Sequence, residues 1–149
     1  MPGTEQPVQL RISRHYPVGA EKIWRAWTDP QALSQWFGPS KTPSLTQAEI
    51  DLREGGGYRI GFDTPDGKPN EVAGEYQTVQ PYSRLVFTWA WHSTPERISR
   101  VSIELIPVAG GTDMIFEHDR FFDDQARINH ERGWNVFLGN LDDFMGGLT

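Results

Sequence analysis

The sequence predicts an α+β fold in which a curved antiparallel sheet wraps around a long C-terminal helix. Three observations support this prediction: apolar and polar residues alternate in one early stretch and about six later ones, short turns separate the later stretches, and a long amphipathic segment ends the chain. Strands joined by short turns pair antiparallel, and a helix with one apolar face can cover such a sheet. We expect residues 1–149 to form a single domain.

The first elements are predicted to be one strand and two short helices. Residues 8–18 alternate Val8, Leu10 and Ile12 with polar residues, and Pro17 ends this strand. Residues 19–29 carry a helical apolar face made of Ala20, Ile23, Trp24 and Trp27. A second helix begins at Pro30, capped by Thr28 or Asp29; it stops at Gly38-Pro39 and has one apolar side made of Leu33, Trp36 and Phe37.

Six strands are expected to follow as an antiparallel meander. The alternating stretches are residues 44–53, 58–62, 71–81, 83–93, 98–108 and 112–120. Pro65, Asp66 and Gly67 form a strong turn signal between two of them. The glycine run at residues 55–57 precedes a strand and has no following Lys-Ser/Thr, so it predicts a hairpin and not a phosphate-binding loop.

The last stretch, residues 123–147, predicts a long amphipathic helix. Its apolar face contains Trp134, Phe137, Leu138, Leu141 and Met145, and His130 extends this face by one turn. Gly133 and Gly139 weaken the helix, because glycine has low helix propensity. Asp142 and Asp143 are expected to point away from the apolar face into solvent.

We expect the sheet and the last helix to enclose an aromatic-lined cavity that the two short helices close at one end, with Trp36 and Phe37 at its rim. Large aromatics on both walls fill space poorly unless some volume remains, and ligand pockets are commonly apolar voids with a few polar groups. Three interpretations of His118 and His130 stay open: each is a structural histidine, a polar contact to a ligand, or a general base. The predicted ligand-binding residues are Trp36, Phe37, Trp89, Trp91, Phe116, His118, His130, Trp134, Phe137 and Leu138.

Composition argues against several other classes of function. The net charge is −6 and the Lys and Arg residues are scattered, so we expect no nucleic-acid partner. The chain has no cysteine, and its four histidines lie far apart in sequence with no metal-ligand spacing, so we expect no metal, no cofactor and no covalent nucleophile. No catalytic residue is assigned. The sequence shows neither a signal peptide nor a long apolar span, which predicts a soluble, cytoplasmic protein without membrane contact.

Several stretches together resemble a known family. RHYPVGAEKIWRAWTDPQALSQWFGP, IDLREGGGYRI, PDGK, GEY, RLVFTWAW, GGTDMIFEH and ERGWNVFLGNLDDF occur in the order found in bacterial relatives of the activator of the heat-shock-protein-90 ATPase. These relatives lie within the START-like (SRPBCC) superfamily. The resemblance covers the chain from about Leu10 to Met145 and implies a helix-grip fold with a deep cavity between sheet and helix.

A fold of this kind does not define a reaction, so three hypotheses stay open. The first is a non-enzymatic protein that binds a small, mainly apolar molecule in the cavity. The second, which the family resemblance implies, is an interaction module for a chaperone or another protein. The third is a cofactor-free cyclase or hydrolase-like enzyme with His118 or His130 as base. A homodimer is compatible with each.

Overall fold

The computed structural model describes residues 9–39 and 45–146 of the chain. Its elements occur in the predicted order, and their bounds are β1 Gln9–Tyr16, α1 Ala20–Thr28, α2 Pro30–Leu33, β2 Leu45–Ile50, β3 Gly57–Asp63, β4 Pro69–Gln80, β5 Arg84–Trp91, β6 Ser99–Val108, β7 Gly111–Asp119 and α3 Asp124–Gly146. Val8 and Ser44, where two strands were predicted to begin, lie outside the described ranges. None of the helices in those ranges is long and apolar enough to cross a membrane.

The strands form one seven-stranded antiparallel sheet in the order β1-β7-β6-β5-β4-β3-β2. The first strand pairs with the last, with Leu10 opposite His118 and Ile12 opposite Phe116. The strands β1 and β2 lie at opposite edges, so the sheet is open, and it curves around α3. This arrangement confirms the predicted α+β class and the helix-grip architecture.

The face of the sheet that packs on α3 is set by residue alternation. In β7, Met114, Phe116 and His118 are fully buried, whereas the residues between them are partly exposed. The same alternation buries Val101, Ile103 and Leu105 of β6. Apolar burial on this scale supplies most of the driving force for folding, because each large side chain contributes about 1.5–3 kcal/mol.

The short helices differ from the prediction at their ends. Asp29 is the N-cap of α2, where its carboxylate accepts from Gln31 N at 3.0 Å. The hydroxyl of Thr28 instead donates to the carbonyl of Trp24 at 2.8 Å. The helix ends at Leu33, so Trp36 and Phe37 lie in the turn that follows it rather than in the helix. Gly38-Pro39 cannot continue a helix, so the backbone forms a turn at residues 34–37, between the end of α2 and Gly38.

The C-terminal half of α3 is attached to β1 by a polar contact. Asp142 accepts a hydrogen bond from Tyr16 Oη at 2.7 Å and forms an ion pair with Arg14 Nε at 3.2 Å. The prediction that Asp142 points into solvent is met in part, since its side chain is 40% exposed; the contact with β1 was not predicted, and it forms because the curvature of the sheet brings β1 against this turn of α3. Burial and the neighbouring carboxylate raise the pKa of Tyr16 far above its usual value.

Candidate functional site

The space between α3 and the sheet is filled with aromatic rings at the end nearest α1 and α2. Ring centroids of Trp27 and Trp36 lie 4.8 Å apart, and those of Phe37 and Phe137 also lie 4.8 Å apart. We call Trp27, Trp36, Phe37 and Phe116 the aromatic plug. The void left beside it measures about 20 Å³, which is too small for any organic ligand.

The predicted position of Trp36 and Phe37 at a cavity rim is wrong. Both side chains are 2% exposed and belong to the core. The indole N–H of Trp36 donates to the carbonyl of Ala26 at 2.9 Å, and this bond turns the ring inward beneath α1. The short helices thus close this end of the space, as predicted, but they do so by inserting the two rings.

A cavity of about 140 Å³ lies beside the N-terminal half of α3; we call it the inner cavity. It begins where the rings of Trp89 and Trp134 meet, with centroids 5.0 Å apart. Gly133 leaves room here because it has no side chain, and a Cβ at this position would have no atom within 4 Å. The inner cavity is lined by Trp89, Trp91, Asn129, His130, Gly133, Trp134 and Phe137.

His130 is fixed at the wall of the inner cavity by a tryptophan. The indole N–H of Trp91 donates to His130 Nε2 at 2.9 Å, and His130 Nδ1 lies 2.7 Å from the carbonyl of Ala126. An indole N–H can only donate, so Nε2 carries no proton and Nδ1–H donates to the carbonyl. Burial lowers the pKa of His130, which agrees with this neutral form.

His118 forms a second tryptophan–histidine pair deeper in the core. Trp134 Nε1–H donates to His118 Nδ1 at 3.0 Å, so His118 Nε2 carries the proton and donates to Ser99 Oγ at 2.7 Å. The Ser99 hydroxyl in turn donates to the carbonyl of Trp89 at 3.2 Å. Burial, and secondarily the neighbouring His130, lower the pKa of His118 well below its usual value.

The two histidines have consequences for chemistry at this site. Their ring centroids lie 5.0 Å apart, although the residues are distant in sequence. Both ring nitrogens of each histidine are occupied by hydrogen bonds, so neither imidazole can accept a proton without losing its indole partner. Among the described residues, no group of three His, Asp or Glu side chains comes together to hold a metal ion.

A second, more polar cavity of about 310 Å³ adjoins the inner one; we call it the outer cavity. The two cavities share Trp89, Trp91, Asn129 and His130 as lining residues. The outer cavity lies between the β5–β6 turn and the start of α3. The further residues that line it are Thr94, Arg97, Ser99, Phe121, Phe122, Asp123, Gln125 and Ala126.

The segment between β7 and α3 shapes the mouth of the outer cavity. Arg120 has a φ of 64°, and this left-handed conformation turns the chain so that Phe121 is buried and Phe122 is exposed. The Phe121 ring contacts His118 at 4.2 Å between centroids. Asp123 caps α3, because its carboxylate accepts from Ala126 N at 2.8 Å.

The structure divides the ten predicted ligand-binding residues into two sets. Trp89, Trp91, His130, Trp134 and Phe137 come together and line the inner cavity. The other five line neither the inner nor the outer cavity: Trp36, Phe37 and Phe116 form most of the plug, Leu138 is fully buried in the core, and His118 is held behind Ser99 and Trp134.

Residue type alone did not identify all of the lining residues. Asn129 and Gly133 precede Phe137 at four-residue intervals on α3, so helical spacing places all three on one face. Gly133 was interpreted only as a weak point of the helix, whereas its missing side chain provides the space of the inner cavity. Arg97, Phe121 and Phe122 carry no sequence signal of this kind, because turns place them at the mouth.

Comparisons with known proteins agree with this architecture. Residues 17–146 match the family model described as "Activator of Hsp90 ATPase homolog 1-like protein". The crystal structure of the AHSA1 protein from Silicibacter pomeroyi is similar with a TM-score of 0.83 and 26% identity, over 95% of this chain and 99% of that one. A protein from Chromobacterium violaceum has a TM-score of 0.81 and 26% identity, over 92% and 96%.

CalU16 from Micromonospora echinospora is similar with a TM-score of 0.73 and 25% identity, over 92% of this chain and 75% of that one. No curated protein sequence matches this chain significantly. The fold and the site define a helix-grip protein of the START-like type. The chain belongs to the family of Activator of Hsp90 ATPase homolog 1-like proteins.

Proposed function

We propose that this protein binds a small, mainly apolar molecule noncovalently, with the apolar part of the ligand in the inner cavity. The observation that carries the proposal is a space of about 140 Å³ walled by four aromatic side chains, next to a larger polar space. A closed apolar cavity of about 150 Å³ holds benzene, and the inner cavity, which opens to solvent beside the exposed Asn129, has room for about one six-membered ring.

The walls of the inner cavity are suited to a planar ring. Trp91 and His130 are joined by a hydrogen bond and their ring centroids lie 6.0 Å apart, so this wall is held in place before a ligand arrives. A site ordered in advance loses less conformational entropy on binding. A ligand of a single ring has few atoms, and we expect dissociation constants on the order of 0.1–1 mM for such probes.

Two glycines of α3 provide the test. Gly133 lines the inner cavity and Gly139 does not, yet a Cβ at either position would have no atom within 4 Å. We expect toluene, benzyl alcohol and related rings to quench tryptophan fluorescence and raise the melting temperature of the wild-type protein. Gly133→Leu should abolish both effects, and Gly139→Leu should preserve them. If no ring compound has either effect on the wild type, or if Gly133→Leu binds as the wild type does, the proposal is wrong.

A second candidate function follows from the family model. Its description refers to activation of a chaperone ATPase, and we propose chaperone binding as the alternative role of this chain. The test is the rate of ATP hydrolysis by the Hsp90-type chaperone of the source cell with and without this protein. An unchanged rate, together with no complex on size-exclusion chromatography, would contradict this role. We make no catalytic assignment, because both nitrogens of His118 and His130 are engaged in hydrogen bonds.

A further inference from the structure

The two charged side chains that line the outer cavity differ in how their hydrogen-bonding atoms are used. Among the described residues that line it, Arg97 carries the only permanent positive charge and Asp123 the only negative one. The Asp123 carboxylate already accepts the hydrogen bond that caps α3. Within the described ranges, the Arg97 side chain forms no hydrogen bond; in its ion pair with Glu96, Nε lies 3.9 Å from a carboxylate oxygen, beyond hydrogen-bond distance. The guanidinium N–H groups at this mouth are therefore available to an acceptor, while Asp123 keeps its negative charge.

Arg97 is held in position without its hydrogen-bond donors being used. Its guanidinium carbon lies 3.9 Å from the centre of the Phe122 ring, a cation–π contact between two exposed side chains that keeps the group at the mouth. Its backbone N–H donates to the carbonyl of Thr94 at 3.0 Å, which closes the β5–β6 turn beneath it. A guanidinium in this place presents a planar set of N–H groups that matches a carboxylate.

Two further hydrogen-bond donors lie near the ligand space, beside acceptor oxygens of Asp123 and Gln125. Trp89 lines both cavities and is 2% exposed, and its buried indole N–H meets no acceptor in the part of the chain that the structure describes. The Asn129 carbonyl oxygen accepts from Gln125 Nε2 at 3.1 Å, which leaves the Asn129 amino group to donate. The acceptor nitrogen of His130 is occupied by Trp91. The donors of Trp89, Asn129 and Arg97 call for acceptor oxygens on the ligand.

We propose that the ligand is a small aromatic carboxylate, with one ring in the inner cavity and a short linker that places the carboxylate against Arg97 in the outer cavity. This inference rests on the proposed function and adds the chemical class of the ligand. The net charge of −6 opposes an approaching anion, but salt at physiological ionic strength screens charges beyond about 8 Å. Once the ring is bound, the contact with Arg97 therefore affects the binding free energy more than repulsion by distant acidic residues does.

The test compares three probes that share a ring and a linker and differ in charge: 3-phenylpropionate, 3-phenylpropanol and 3-phenylpropylamine. Affinity is measured by tryptophan fluorescence and by calorimetry near neutral pH and at physiological ionic strength, where distant charges are screened. In the wild type we expect the carboxylate to bind about tenfold more tightly than the alcohol, and the amine to bind most weakly. Arg97→Gln should bring the ratio of carboxylate to alcohol affinity close to one. Arg25→Gln, at an exposed position on α1, should leave this ratio unchanged.

The outcomes separate this inference from the proposed function. If the alcohol binds as tightly as the carboxylate in the wild type, or if Arg97→Gln keeps the carboxylate preference, the inference is wrong and the proposed function stands. Tighter binding of the amine would also overturn the inference. If no probe of any charge binds the wild type, both proposals fail. Circular dichroism and the melting temperature of each variant show that it is folded.

Discussion

The two ends of the space between α3 and the sheet contain the same kinds of side chain but differ in packing. At the plug end, Trp27 contacts Trp36 and Phe116 contacts Trp134 at centroid distances of 4.8 and 4.5 Å, and the rings fill the interior. At the other end there is a cavity, because Gly133 has no side chain and His130 is held at the wall by its hydrogen bond with Trp91. Whether an aromatic ring belongs to the core or to a cavity wall therefore depends on the residues opposite it and not on the ring itself.

The largest expected difference between the two ends is in their contribution to stability. Phe116→Ala removes a fully buried ring from the plug and should lower the free energy of unfolding by about 3–5 kcal/mol. Trp91→Ala removes a half-buried ring that borders free space, so its cost should be smaller by at least about 1 kcal/mol. Urea denaturation measures both values. Equal losses would contradict the distinction between a filled end and an open one.

The tryptophan–histidine pairs predict a pH dependence of stability. The pKa values of His118 and His130 are lowered in the folded protein, so the unfolded chain binds protons first as the pH falls below about 6.5. Stability should be full above this pH and should decline below it, with a slope of up to about 1.4 kcal/mol per pH unit for each histidine.

Denaturation curves between neutral and mildly acidic pH measure this slope. His130→Gln should reduce it by about half, since one of the two groups is removed. His92→Gln, at an exposed position on the β5–β6 turn, is the control for removing a histidine outside the core. A stability that stays constant from neutral pH down to about pH 5 would show that neither imidazole is held neutral.

The link between β1 and α3 should have a moderate effect that is confined to the filled end. Tyr16→Phe removes the hydroxyl that donates to Asp142 and should cost about 1.5 kcal/mol, the lower limit for a bond to a charged acceptor, because Asp142 is partly exposed. Ring-probe affinity should not change. Tyr82→Phe, at an exposed tyrosine, is the matched control and should cost almost nothing. A loss of ligand affinity in Tyr16→Phe would mean that the two ends are coupled.

The smallest expected effect concerns the two glycines in α3. Gly133→Ala and Gly139→Ala should each stabilise the protein by up to about 1 kcal/mol, because alanine has the higher helix propensity and both positions have room for a methyl group. Melting temperature measures this gain. Only Gly133→Ala should also weaken binding of ring probes, since its methyl group enters the inner cavity. Equal effects of the two variants on binding would place the ligand elsewhere.

Local sequence patterns were sufficient to predict most of the fold. Alternation in β7 predicted that Met114, Phe116 and His118 share one buried face, and the structure buries all three. Asp29 and Pro30 marked the start of α2 because capping depends on neighbouring residues only. The end of α2 was less accurate, since Trp36 and Phe37 follow the helical spacing but lie in the turn after it.

The candidate site was predicted less completely than the fold. Five of its lining residues were expected from their aromatic or imidazole side chains on the correct face, whereas Gly133 and Asn129 were missed. The meeting of His118 and His130 was missed as well, because strand β7 and helix α3 approach each other only through tertiary packing. The contact of Asp142 with β1 was missed for the same reason, since a helical pattern does not show which strand edge will curve onto it.

The sequence by itself determined the order of the elements, the buried face of each strand and the aromatic content of the interior, because periodicity and capping act between residues close in the chain. Only the tertiary structure decided where that interior is filled and where it is open. Volume depends on the separation of two surfaces distant in sequence, and here it is set by inserted rings at one end of α3 and by Gly133 at the other.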